Sequence, residues 1–393
     1  MTRGSTTSRR TPQIIGIGAA TGYGWGRDAL WNGVSSGKPA GVLYGGYGRN
    51  QDEEVWLARV TEGGDPADSP SRFSRAMRGA AREAIADAHD RGWTPGRRVG
   101  LLHAVVLGDV EDWRTFYLDD GGQRRIRDYM RLLPSTPIST LMQEFGFHGP
   151  AMNVSATCSS GNVGLLTAKM WLDAGLADDV VCITTDLSLT PENVEHFVRL
   201  GAGVVDVEPL EACRPFQEGS RGFAMGEASV GMVVTKSPAR GYLSIEGGSM
   251  THDAYHVASV DPAHTEIMRC VHEALDDAGV SARDVRYLNA HGPGTAQCDA
   301  AERAILATVL APGAPSVYSI KPLTGHCQGA AAAVEIAAAA LGAEHGVVPA
   351  PPQVAPAHPQ LLNGATPMVD GLIVKPSLGM GGHNSVVVLA PVG

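Results

Sequence analysis

No run of about 18 apolar residues, the length needed for a membrane-crossing helix, occurs anywhere in this 393-residue chain. Even the alanine-rich stretch near position 335 is broken by Glu335 and Glu344. A soluble protein is expected. Cysteine is scarce, with six residues (Cys158, Cys182, Cys213, Cys270, Cys298 and Cys327) and no C-x-x-C pair. That excludes a disulfide scaffold or a zinc ribbon and fits a reducing cytoplasm. Positive charge is also short: 31 Lys and Arg against 41 Asp and Glu leave a net charge of −10. No global basic field draws the chain to nucleic acid or to an anionic membrane. Arg9-Arg10 ahead of Ile14-Ile15 imitates a twin-arginine signal, but glycines follow at once and export is not expected. What is abundant is glycine, 49 residues without a fixed period. The lack of a period excludes collagen, and the abundance points to tight turns and close backbone approaches.

Length alone suggests two to three units at about 150 residues each. Order is expected from Pro12, after a Thr-, Ser- and Arg-rich flexible tail over 1–11. A strand at Gln13–Gly18, helices at Gly26–Ser36 and Ser71–Arg91, and apolar runs at Glu54–Arg59 and Val99–Leu107 give the rhythm of an α/β layer fold. The theme returns with strand Ala151–Ser155, helix Gly161–Ala174 and strand Asp179–Leu187, then a loop-rich insert to Phe223 and an apolar run through Val234. Beyond Ser237-Pro238 come strand Tyr242–Glu246, helix Thr265–Ala278, strand Val285–Ala290, helix Asp299–Leu310 and strand Val317–Ser319. Helix Gly325–Leu341 and strands near Leu372–Val374 and Ser385–Leu389 close the chain. The helix after His326 is so small and apolar that it is expected to be buried against other backbone. Twice a strand enters a short polar loop, holding Cys158 or His326, and then a helix of small residues. One unit of two related halves, 12–236 and 237–393, is therefore predicted.

Two motifs that suggest ligands are set aside. Gly16-Ile17-Gly18 follows a strand as a dinucleotide fingerprint does, but Thr21 occupies the place of the third glycine. His252/His256 and Cys270-x-His272 have metal-like spacings, but the first pair falls in a loop or strand and no H-E-x-x-H is present.

Cys158 stands in Asn153-Val154-Ser155-Ala156-Thr157-Cys158-Ser159-Ser160-Gly161, between a strand and a helix start. There the helix dipole and unpaired amides are expected to lower the thiol pKa and favour the nucleophilic thiolate. Alone, such a cysteine is more often a small buried hydrophobe. Two histidines at strand exits change that balance. His291 lies in Asn289-Ala290-His291-Gly292-Pro293-Gly294-Thr295 and His326 follows Lys321-Pro322-Leu323-Thr324-Gly325. Flanking glycines let backbone and substrate approach an imidazole closely.

With these residues the chain resembles the β-ketoacyl synthases, the elongating condensing enzymes of fatty-acid and polyketide assembly. Ala156-Thr157-Cys158-Ser159-Ser160 resembles the nucleophile segment, His291-Gly292-Pro293-Gly294-Thr295 the H-G-T-G-T motif, and Lys321 through Gly325-His326 to Glu335 the K-x-x-x-G-H block. Arg214-Pro215-Phe216, Gly222-Phe223 and Gly379-Met380-Gly381-Gly382-His383-Asn384 support it.

The resemblance implies an α/β, thiolase-like fold: two pseudo-symmetric βαβαβαββ halves packed as five layers, α-β-α-β-α. It implies a Cys158 acyl-enzyme and a malonyl-type extender that loses CO2 and attacks it. His291 and His326 are implied as neutral donors to the extender's thioester oxygen, and Lys321, paired with Glu335, as the charge behind His326. The amides of Cys158 and Met380 are implied as the oxyanion hole, Thr295 as a contact of the pantetheine arm, and Asn384 as a supporting residue. No cofactor or metal is implied, because phosphopantetheine arrives on the acyl carrier protein. A homodimer, or a heterodimer with a related subunit, is implied, joined through a strand near the nucleophile.

The chain also departs from the family pattern. Pro293 replaces the middle threonine of H-G-T-G-T, the Arg214–Phe223 loop lacks two acidic residues, and Met380 stands where a gating phenylalanine is usual. Leu101–Tyr117, with His103, Asp109, Glu111, Asp112 and Trp113, does not resemble the usual pocket segment, which suggests an unusual acyl substrate. Alternatives are an acyltransferase acting on an amine or alcohol and a non-catalytic subunit like a chain-length factor. A degradative thiolase would need a second cysteine where Met380 stands, and a Cys-His hydrolase leaves one histidine unused.

Overall fold

Ten strands form the continuous path of one sheet in the computed structural model, which describes residues 10–118 and 125–392. Nearly all of the expected tail lies outside the described residues. The first five strands are β1 (Gln13–Thr21), β2 (Val99–Ala104), β3 (Ala151–Val154), β4 (Asp179–Asp186) and β5 (Ala228–Thr235). The second five are β6 (Leu243–His252), β7 (Val285–Asn289), β8 (Ser316–Tyr318), β9 (Leu372–Gly379) and β10 (His383–Pro391). They lie in the orders β1-β5-β4-β2-β3 and β6-β10-β9-β7-β8. In both sets the first two junctions are antiparallel and the last two parallel. Within the sheet the sets join where β1 meets β6, at Gln13↔Ser244 and Ile14↔Leu243.

The principal helices are α1 (Arg72–Asp90), α2 (Ser160–Asp173), α3 (Thr265–Ala278), α4 (Ala296–Ala307) and α5 (Ala331–His345). α1 covers the outer face of the first set, α3 and α4 that of the second, and α2 and α5 lie between them. This is the expected five-layer, thiolase-like arrangement. Every residue of α5 from Ala331 to Gly342 is buried, as its composition demands. Close packing explains the glycine pair set aside above. A Cβ on Gly16 or Gly18 would sit 2.1 Å from the carbonyl oxygen of Ala84 or Ala80, so β1 lies directly on the α1 backbone. No phosphate has room there.

Some elements differ from expectation. Strand Val42–Tyr47 pairs with Glu53–Ala58, and helices Val110–Leu118, Ile126–Arg131, Ser135–Phe145 and Pro191–Arg199 were not anticipated. The helix expected from Gly325 begins at Ala331, after a 3-10 turn at Gln328–Ala330, because Gly325 has φ 70° and breaks the chain away. β9 runs past Lys375-Pro376, where the apolar pattern stops. Its pairing with β7 ends at Val374, so the missing N–H of Pro376 costs no bond on that side. No helix among the described residues is long and apolar enough to cross a membrane.

Candidate active site

Cys158 sits in a 3-10 turn, Thr157–Ser159, between β3 and α2. The turn is tied to the opposite half. Thr157 Oγ1 donates to the Met380 carbonyl at 2.9 Å, and Ser159 Oγ reaches the Ser377 and His383 carbonyls at 3.0 and 2.6 Å. Thr157 has φ 50°, a conformation a side chain adopts at a cost. The corresponding turn in the second half is Gln328–Ala330, where Gln328 has φ 46°. The duplicated event is therefore this turn, and Cys158 corresponds in place to Gly329 rather than to His326.

The expected low thiol pKa is not found. Burial pushes Cys158 up to about 11, against the N–H of Met380, the charge of Lys321 and its own amide, which pull it down. With 7% of its surface exposed, desolvation outweighs the helix terminus. The resting Cys158 side chain is a thiol. Alkylation of Cys158 by iodoacetamide, read on its peptide, should climb steadily from about pH 8 to about pH 10, because the thiolate fraction keeps growing. A plateau near the ordinary cysteine value would contradict this.

His291 leaves β7 and His326 precedes the Gln328–Ala330 turn. Their rings stand 5.6 Å apart between centroids at 84°. His326 Nδ1 accepts the Gln328 N–H at 3.0 Å, and His291 Nδ1 faces the Lys321 ammonium at 3.5 Å. Both Nδ1 atoms act as acceptors, so each neutral ring carries its proton on Nε2. Burial, with the charge of Lys321 and Lys375, holds both imidazoles neutral to well below the usual histidine range. The His291 loop is gripped at the backbone. Glu302 accepts the N–H groups of His291 and Gly292 at 2.6 and 2.8 Å, and Lys321 Nζ donates to the His291 carbonyl.

Lys321 and Glu335 form the expected pair, fully buried and in direct contact. They lie behind the histidines rather than in the cavity. A cavity of about 330 Å³ brings together Cys158, His291, His326, Thr295, Met380 and Asn384. The N–H groups of Met380 and Cys158 both face the sulfur. Asn384 Nδ2 donates to Asp253 Oδ1 at 2.5 Å, bracing the cavity wall.

Three participants were missed. Glu302 is the seventh residue of α4, within an ordinary helix pattern, Gln328 lies inside the expected α5, and Lys375 lies in a strand. Only Lys375 left a signal, as a lone charge within an apolar run.

The departures are absorbed locally. Pro293 lines the cavity, and its carbonyl accepts from Cys213 Sγ at 3.3 Å. Arg221 pairs with Asp206 at 2.8 Å, and Arg214 Nε donates to the Leu210 carbonyl, in place of salt bridges within that loop. His103 is buried in β2 and does not line the cavity. Asp109 bonds Ser71, and Glu111 pairs with Arg59 and Arg72, so that stretch is tied into the scaffold.

Residues 51–239 match the family described as "Beta-ketoacyl synthase, N-terminal domain" and residues 242–354 match "Beta-ketoacyl synthase, C-terminal domain". The tetracenomycin polyketide synthase ketoacyl synthase alpha subunit of Streptomyces glaucescens is 29% identical, over 96% of both chains. A 3-oxoacyl-[acyl-carrier-protein] synthase 2 of Staphylococcus aureus is 32% identical, over 81% of this chain and 83% of its own. Among solved structures, a chain from a complex described as a type II PKS acyl-carrier protein with its ketosynthase bound to the hexaketide superposes with a TM-score of 0.87 at 24% identity, covering 98% of this chain and all of that one. The ishigamide ketosynthase/chain length factor gives 0.84 at 23%, again over 98% and 100%. Those two likenesses establish the fold, and the family models, together with the 32% identity over four-fifths of the chain, establish that this protein belongs to the beta-ketoacyl synthase family.

Proposed function

We propose that the protein is a ketosynthase that performs decarboxylative Claisen condensation in polyketide or fatty-acid biosynthesis. The observation that carries this is the convergence of the Cys158 thiol and two neutral, Nε2-protonated imidazoles on a single cavity. In the first step the Cys158 sulfur attacks an acyl-carrier thioester. The C–S bond to the carrier breaks, and the thiol proton passes to the departing carrier thiol. The amides of Cys158 and Met380 face the oxygen that becomes negative. In the second step a malonyl-type thioester enters. Its carboxylate leaves as CO2, the electron pair forms an enolate, and the two Nε2–H groups hold the enolate oxygen. The enolate carbon attacks the acyl carbonyl, and Cys158 leaves as thiolate and regains a proton from solvent. Thioester cleavage and CO2 loss supply the driving force, so this scheme requires no cofactor beyond the phosphopantetheine of the partner carrier protein. Keeping His291, His326 and Lys321 together favours this scheme over transfer to an amine or alcohol, which needs no enolate stabilisation.

For a subunit partner, a second copy or a related chain, the support is β3. It is the edge of the sheet, next to the nucleophile turn, with Ala151 and Met152 exposed. The test of function is intact mass after mixing with acyl-carrier thioesters, followed by malonyl-carrier. An acyl-sized gain on Cys158, discharged as CO2 and a longer product, is expected. Loading without CO2 or condensation under any extender would leave simple acyl transfer as the activity.

A further inference from the structure

β9 brings into the charge cluster a second lysine that the steps above do not use. Lys375 is fully buried, its Nζ lies 2.7 Å from Glu335 Oε2, and it donates to the Pro376 carbonyl at 2.7 Å. Glu335 thus bridges two ammonium groups, Lys321 on Oε1 and Lys375 on Oε2. One carboxylate neutralises one of them. The other counter-charge is Glu302 of α4, also fully buried: burial pushes its pKa up to about 7, against the N–H groups of His291 and Gly292 and the attraction of Lys375, which favour the carboxylate. Lys375 itself faces Glu335 of α5, Lys321 of the short helix Lys321–Thr324, and Glu302; Glu302 also faces Asp299, and both histidines feel Lys375.

Asp299 has a cation of its own in Arg303, so Glu335 and Glu302 balance only with both lysines present. Removing one leaves two carboxylates with a single cation where burial already disfavours charge. The proton then settles on Glu302, because Glu335 keeps direct contact with Lys321. A carboxyl carrying a proton offers a poorer acceptor to the two N–H groups that hold the His291 loop. We infer that Lys375 is a positioning residue for the condensation proposed above: by supplying the second buried cation it holds Glu302 as a carboxylate, and Glu302 fixes the backbone that aims His291. This rests on the condensing reaction and adds to it a residue that touches neither substrate nor the reacting atoms.

The experiment compares pH profiles of CO2 release from malonyl-carrier for the full chain and for Lys375→Met. A misaimed imidazole is expected to lower kcat by about 100-fold, with KM changed by less than about threefold, since carrier contacts are untouched. The acid limb of kcat is expected to rise by about one pH unit or more, because Glu302 takes its proton earlier. In Glu302→Gln that limb should vanish, and Lys375→Met/Glu302→Gln should be no slower than Glu302→Gln alone. If Lys375→Met does not fold, the double variant decides: folding restored by Glu302→Gln supports the charge-balance role, whereas a double variant that stays unfolded while Glu302→Gln folds overturns it. A Lys375→Met enzyme with wild-type kcat, or a slower one with an unmoved acid limb, also overturns the inference while leaving the condensing reaction standing. No CO2 from the wild type with any malonyl-type extender removes the reaction itself, and the inference with it.

Discussion

Cys158→Ala is expected to gain no acyl mass from any acyl-carrier thioester, and its condensation rate should fall by a factor of about a thousand or more, equivalent to about 4 kcal/mol at the transition state. The reason is local. Of the six free cysteines, Cys158 and Cys298 line the cavity, and only Cys158 has the amides of Met380 and of its own turn directed at the sulfur. Cys298 is held up at about 12 by burial, further from a usable thiolate than Cys158. CO2 release from malonyl-carrier should persist in the variant, because both Nε2–H donors and the lysines behind them remain. An acyl adduct retained in Cys158→Ala and mapped to Cys298 would transfer the nucleophile's role to α4. Simultaneous loss of decarboxylation would mean that the sulfur also shapes the imidazole pair.

Glu335→Gln should be the most destabilising of the isosteric changes at the site. It leaves Lys321 and Lys375 both fully buried with no carboxylate between them. Removing one partner of a buried ion pair costs about 3–5 kcal/mol, and here two cations lose the same partner. The sign with pH follows from Lys375, whose pKa burial already lowers against the pull of Glu335. With the carboxylate gone the folded-state value drops further below the unfolded one. The penalty is then full below the depressed folded-state pKa of Lys375, where both states are charged, and eases as pH rises from there to the unfolded lysine value. Urea unfolding at pH 7 and about pH 9.5 measures both parts. A stability gap that does not narrow at the higher pH would show that lost packing, not charge, is responsible.

The layers and the cavity residues Cys158, His291 and His326 were legible because they depend on local patterns. α3 was read from its apolar spacing to the residue, and β1, β4, β5 and the helices around them to within a few positions. Cys158 stood out by its place between a strand and a helix start, His291 and His326 by their flanking glycines, and Lys321 by the family resemblance alone. The sequence concealed what depends on distant partners. The Gln328 turn reads as helix, and only contact with His326 Nδ1 shows why its backbone leaves the helical region. The Cys158 thiol was misjudged because a helix terminus is visible in a sequence and the surrounding desolvation is not. Lys375 and Glu302 belong to strands and helices far apart in the chain, and their meaning lies in a charge balance that no single segment contains.

The sulfur rides on the first half of the duplicated fold and both imidazoles on the second, with the central helices so close that a Cβ on Gly161 would lie 2.7 Å from the Ala333 nitrogen. Neither half owns a complete set of reactive groups. Under the proposed reaction, one codon change at the sulfur would strip acyl capture from a gene copy while leaving the opposite half intact, a short route from condensing enzyme to silent companion.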